Sequence, residues 1–165
     1  ALVVDFYHFY GNANSYLSSP GWYRSEARII KNSIRSYSPD GLFWLVLDRN
    51  KKGRYPKAKH TAVHCYHYGW IRSEDEMNLK SEKVQKYWSG KPVKIDYSQM
   101  DQSIIKQFSG KHPAVVHDWL PRAEGIFQVD RKYKLTKKQK KHRIMLKLEK
   151  LFGIELSKKH FKLVK

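Results

Sequence analysis

One cysteine, Cys65, stands in 165 residues, which excludes an internal disulfide and any zinc site built from several thiolates. Long apolar runs are missing too. The longest, residues 42–47, falls far short of the ~20 residues that a membrane-spanning helix needs. Asp5 and His8 interrupt the only apolar stretch near the first residue, so no secretory leader is legible and a reduced, cytoplasmic setting is expected. Phosphate-binding loops are absent as well. There is no G-x-G-x-x-G and no G-x-x-x-x-G-K-[ST], so neither a dinucleotide fingerprint nor a P-loop is present. No G-x-S-x-G elbow offers a nucleophile, and no Asp-x-Asp pair offers a divalent metal its carboxylates. As a free-standing catalyst of any standard type, the chain is under-equipped.

Acidic residues are scarce: Asp+Glu number 15 against Lys+Arg 33, a formal net charge of +18. Hydrophobic residues make up 41% and aromatics 14%, which rules out a disordered polybasic peptide and suits one domain with a sizeable core. The charge is lopsided. Residues 131–165 hold 14 basic and 2 acidic side chains, a net of +12, while residues 1–130 carry a net of only +6. A basic appendage of this kind meets something anionic, either a membrane surface or nucleic acid.

Hydrophobic patterning predicts strands first and helices after, an α+β chain. Residues 2–10, dense in Val, Phe and Tyr, read as a strand ending at Gly11-Asn12. Residues 12–21, rich in Asn, Ser, Pro and Gly, read as a loop. Residues 22–30 read as a strand with Arg24, Glu26 and Arg28 on one face. Residues 42–47 suit a buried strand or a short helix; residues 49–53 read as a turn and 61–68 as another strand. Ser73 with Glu76 forms a capping box that opens a helix carrying Met77, Val84 and Trp88, stopped by Gly90 and Pro92. Ser98 is expected to open a shorter helix with Met100, Ile104 and Phe108 on one face, ending at Gly110. Thr136 with Gln139 opens the last helix, whose apolar stripe is Ile144, Leu148, Leu151 and Phe152, closed by Gly153.

Three clusters could carry chemistry. His60, His64, Cys65 and His67 would share a metal only on a helix; on a strand His64 and His67 point to opposite faces. Thr61, Val63, Tyr66 and Tyr68 favour the strand, which leaves His67, at the strand end before Gly69 and Trp70, as a single functional histidine. Arg24, Glu26 and Arg28 form either a solvated, salt-bridged face or an anion- and sugar-binding surface, with Trp22 and Tyr23 suited to stacking on a sugar ring. His112, His117 and Asp118 read as helix surface. The basic run 137–143 is a solvated helix face or, beside its apolar stripe, an interfacial helix that meets an anionic membrane.

Longer phrases resemble one family. Phe6-Tyr7-His8-Phe9-Tyr10-Gly11-Asn12, then Pro20-Gly21-Trp22-Tyr23-Arg24-Ser25-Glu26-Ala27-Arg28-Ile29-Ile30-Lys31-Asn32, then Tyr66-His67-Tyr68-Gly69-Trp70-Ile71-Arg72 are similar to the second half of bacterial family 2 glycosyltransferases. Leu148-Glu149-Lys150-Leu151-Phe152-Gly153, with Lys162-Leu163, is similar to that group's C-terminus. The resemblance implies a glycosyltransferase A-type fold and an inverting enzyme that uses a nucleotide-diphosphate sugar and a divalent metal, Mg or Mn. It places residues 1–130 as the acceptor-side half, without the nucleotide-binding half and its Asp-x-Asp, and residues 131–165 as a basic amphipathic helix and tail. The resemblance implies roles as follows: His67 reaches the metal or diphosphate; Trp22, Tyr23, Arg24, Arg28 and Trp70 bind substrate; Asp40 is the catalytic base, with Glu26 its alternative. Pro39 stands where the family's acidic residue is expected. The acceptor would be a glycan or a lipid-linked sugar, and the chain inactive alone, peripheral to the inner face of the membrane. The rival reading is a basic module that binds nucleic acid or docks at a membrane; no RNP1-like aromatic motif, GXXG loop or zinc knuckle supports nucleic acid.

Overall fold

A computed structural model describes residues 1–88, 91, 94–120 and 129–164. Strand β1 (Leu2–Tyr10) is its axis. Its alternation of Val, Phe, His and Tyr gives both faces something to bury, and strands flank it on both sides. On one side β7 (Lys57–Trp70) runs parallel to it along most of its length. On the other, β3 (Ser25–Ile29) pairs antiparallel with residues 2–5, and β2 (Asn12–Leu17) pairs antiparallel with residues 8–10. Two short strands extend the sheet, β8 (Ile105–Gln107) beyond β2 and β9 (Lys162–Leu163) beyond β7. The result is a curled mixed sheet of six strands. A smaller antiparallel sheet joins β4 (Ser36–Tyr37), β5 (Leu45–Leu47) and β6 (Gly53–Arg54). Helices α1 (Glu74–Trp88) and α2 (Lys137–Phe152) complete an α+β chain.

Both helix starts follow the sequence. The Glu76 carboxylate accepts from the Ser73 backbone N–H at 3.1 Å while the Ser73 hydroxyl accepts from the Glu76 N–H at 3.3 Å. Thr136 and Gln139 close the same reciprocal box, and Gly153 at φ 65° caps α2 in the left-handed conformation. The Trp88 side chain and the stop expected at Gly90 and Pro92 lie outside the described residues. Of the α1 stripe, Met77 is buried but Val84 is 40% exposed.

Two elements differ from expectation. Residues 12–17 are a strand, because Asn12 itself makes the turn: its side-chain oxygen accepts from the Asn14 N–H and the Ser15 hydroxyl. Beyond it Ala13, Ser15 and Leu17 are buried while Asn14 is exposed. The helix expected from Ser98 does not form. Asp101 takes the Ser103 N–H and hydroxyl, capping a single 3-10 turn (Gln102–Ile104), and the chain then runs out as β8 along the open edge of β2. An unpaired edge outweighed a helical spacing.

The core lies on both faces of the sheet. One cluster gathers Tyr10, Leu17, Met77, Tyr97 and Ile104, with Trp22, Trp70 and Leu146 packed against it. A second gathers Phe9, Ala13, Ile71 and Leu120 beneath Tyr7, Tyr66, Tyr68 and Phe108. A third joins Val3, Ala27 and Ala58 to Phe161 near the C-terminus. Among the described residues no helix is long and apolar enough to cross a membrane.

Candidate functional site

The parallel register of β1 and β7 sets His8 opposite His67. Their Nδ1 atoms lie 3.0 Å apart, and the His8 Nε2 lies 2.8 Å from the Tyr23 carbonyl oxygen. These two distances fix the tautomers. A carbonyl only accepts, so the His8 Nε2 carries a hydrogen and donates it. Burial, helped by His67 and Arg28, pulls the His8 pKa from 6.5 down to about 4 against the Tyr23 bond, so the ring is neutral and its Nδ1 is a lone pair. The His67 Nδ1 must then carry the hydrogen between them. The His67 Nε2 is left as a bare lone pair.

The His67 ring lies over Gly69, in the room that the missing side chain leaves. A Cβ at position 69 would come 2.7 Å from the His67 Nε2, closer than side chains tolerate, so any other residue would push the ring aside. Burial, and then the charges of Lys80 and Arg28, also lower the His67 pKa. The lone pair therefore persists at neutral pH among cations.

Around the pair stand several side chains that the sequence singles out. Trp22 lies 5.5 Å from the His8 ring and meets Trp70 edge-on at 5.6 Å. Tyr23 meets His8 edge-on at 4.6 Å. The Arg28 guanidinium sits 5.2 Å over Phe6 and 5.9 Å from the Tyr23 ring, and donates to the Gly41 carbonyl at 3.1 Å. Arg28 is the extra residue at a bulge where β3 pairs with Leu2 and Val3, a device that re-aims a side chain. Through Gly41 it holds the turn that carries Asp40, whose carboxylate accepts from the Leu42 N–H at 2.9 Å. Trp22 also walls a cavity of about 350 Å³, shared with Ser19, Met100, Asp101 and His142. Gly21 admits His142 there, since a Cβ at 21 would come 2.5 Å from its ring.

Arg24 and Glu26 are engaged elsewhere. Arg24 grips Glu149 of α2 through two hydrogen bonds of 2.6 and 2.9 Å. Glu26 is 1% exposed, accepting from the Ala27 N–H and from the His160 Nδ1 at 2.8 Å. The strand phrase thus sends its charges three ways: Arg24 and Glu26 tie down the C-terminal segment, and only Arg28 joins the histidine pair. The other histidines disperse as a strand requires. His64 stacks on Tyr7 at 4.9 Å and His60 meets Asp5 at 3.0 Å, while burial pushes the Cys65 thiol up. His112 lies 2.9 Å from the Tyr68 hydroxyl, and the His117 Nε2 donates to the His112 carbonyl; Asp118 lies just beyond the short turn Ala114–Val116.

A divalent metal does not fit these residues alone. Among the described residues no three His, Cys, Asp or Glu side chains come together to hold one, and the neighbours of the His67 Nε2 are cations. One imidazole nitrogen offers one ligand atom. The positive charge that Lys80 and Arg28 bring there disfavours a bare cation and suits an anion such as a diphosphate, which those two side chains rather than the His67 lone pair would hold. His8 is the participant that sequence reading missed. Its only signal is a histidine in a strand otherwise filled by Val, Phe and Tyr, and its partner lies 59 residues away. No family model matches the chain, and no curated protein or solved structure matches it.

Proposed function

We propose that this chain is the acceptor-facing part of an inverting glycosyltransferase of the A-type fold, acting on a nucleotide-diphosphate sugar once a nucleotide-binding half is joined to it. The observation that carries the reading is the grouping around the histidine pair: Arg28 and Lys80 bring positive charge to it, and Trp22, Tyr23 and Trp70 stand beside it. Cations facing a diphosphate stabilise the negative charge that develops on it as the sugar leaves. Trp22, in the wall of its cavity, supplies an aromatic surface on which a sugar ring can pack. Asp40, half-exposed on the turn held by Arg28, is the carboxylate free to take the acceptor hydroxyl's proton; Glu26, buried and twice bonded, is not. The acceptor oxygen then attacks the anomeric carbon, and the bond to the diphosphate breaks with its electron pair passing to the phosphate oxygen. A divalent metal, Mg or Mn, would enter with the diphosphate and take most of its ligands from the other half.

The test is reconstitution. The 165-residue chain alone should show no transfer from a panel of nucleotide sugars with Mg²⁺ or Mn²⁺. Joined to the segment encoded ahead of it, which the reading requires to carry Asp-x-Asp after a strand, it should turn over, and His67→Ala should cut kcat at least tenfold without unfolding the protein. Robust turnover by the chain alone, or an upstream segment lacking that motif, would overturn the reading.

A further inference from the structure

Helix α2 is inside out. The residues it turns to the body of the protein are mostly polar: Arg143 binds Asp101 through contacts of 2.6 and 3.0 Å, Glu149 binds Arg24, His142 packs on Gly21, and of the apolar residues Leu146 reaches the core around Trp22. The stripe that sequence patterning picks out faces away. Ile144, Leu148, Leu151 and Phe152 are 60, 40, 74 and 64% exposed, and Ile154, just past the helix, is 54% exposed.

Residues step by about 100° around a helix, so these four share one sector of α2. Lys137 and Lys141 continue that sector towards the helix start, and Lys140 and Lys147 run along its edge; all four are exposed. The outer side therefore joins an apolar half to a lysine half within one helix.

We propose that this outer face of α2 docks in the plane of an anionic lipid bilayer, its apolar half sinking among the acyl chains and its lysines meeting the headgroups. Both halves are then used, which neither nucleic acid nor a second copy of the chain achieves. Nucleic acid would neutralise the lysines and leave Leu151 and Phe152 against phosphates. A second copy would set the same lysines against each other across a twofold axis. An interfacial helix needs the pairing found here, apolar side chains with long basic ones that keep their charge at the surface. The net of +12 over residues 131–165 strengthens the attraction. None of this depends on the glycosyltransferase reading.

The experiment is flotation of the full 165-residue chain with vesicles of phosphatidylcholine, with or without phosphatidylglycerol. The chain should float with the anionic vesicles, stay behind with neutral ones, and be released by added salt. The double variant Leu151→Ser, Phe152→Ser should weaken binding roughly tenfold or more, and Lys140→Gln, Lys147→Gln roughly tenfold as well. All four positions are exposed, so unchanged thermal unfolding confirms that both variants are folded. Equal flotation of the wild type and the serine variant would overturn the proposal. So would preference for duplex DNA at equal phosphate concentration, or a concentration-dependent dimer that the serine variant abolishes.

Discussion

At the scale of residues, the histidine pair makes a prediction about pH. His8 has a folded pKa near 4 against 6.5 for a free histidine, and His67 shifts the same way. Between those values the unfolded chain takes up protons that the native chain refuses, so unfolding gains as the pH drops. The stabilisation is complete above pH 6.5, is lost as the pH falls towards 4, and does not change further below that on account of His8. For His8 alone the loss is on the order of 3 kcal/mol. Urea unfolding followed from pH 7 to pH 4 should show it, and His8→Gln should flatten the slope while lowering stability at pH 7. An unchanged slope in that variant would mean that His8 is not the neutral donor to Tyr23. Of the residues around the pair, His67, Trp22, Tyr23, Arg28 and Trp70 stand out in the sequence as a histidine, aromatics and a cation in two short stretches. Their arrangement was not, because it depends on which residue of β7 falls opposite His8, and register between parallel strands leaves no local mark.

At the scale of elements, α2 is fastened by charge. Burial alone would raise the Glu149 carboxyl, but the Arg24 bonds, with the Leu156 N–H, hold it below the usual carboxylate range. Burial works the same way on Asp101 and is outdone by Arg143 and Ser103. Glu149→Ala would strand the half-buried Arg24, which keeps only Glu155 at 3.4 Å. The expected cost in urea unfolding is about 2–3 kcal/mol, below that of a fully buried pair because Arg24 keeps some water. Replacing both partners, Arg24→Met with Glu149→Leu, should recover most of it; a double variant as weak as the single one would show that the pair is not the fastening. Both helix starts and β1 were plain in the sequence, since caps and dense β-branched and aromatic runs are local signals. Residues 105–107 were not, because they become a strand only through the open edge of β2. The outward turn of Ile144, Leu148, Leu151 and Phe152 was equally hidden: periodicity finds a stripe but does not say which side of the helix the protein occupies.

At the scale of the whole molecule, the C-terminal segment is a clasp. His160, stacked on Phe43 at 4.2 Å, bonds the buried Glu26, while Phe161 fills the cluster of Val3, Ala27 and Ala58. Strand β9 then adds itself to the beginning of β7. His160→Ala should cost about 2 kcal/mol, since it leaves a buried carboxylate with one donor instead of two. Adding Glu26→Gln should restore part of that, and no restoration would mean that His160 acts by packing on Phe43 alone. The strand order has a last consequence, in time rather than in energy. At its start β7 lies between the first residues of the chain, where Ala1 accepts from the Lys59 N–H, and the last, where Lys162 donates to the Pro56 carbonyl. Contacts that join partners 125 and 134 residues apart cannot form until Glu149 and His160 have themselves been synthesised. Until then Val3, Ala27 and Ala58 lie open to any other sticky surface, and their protection waits on Phe161, more than a hundred residues further along the chain.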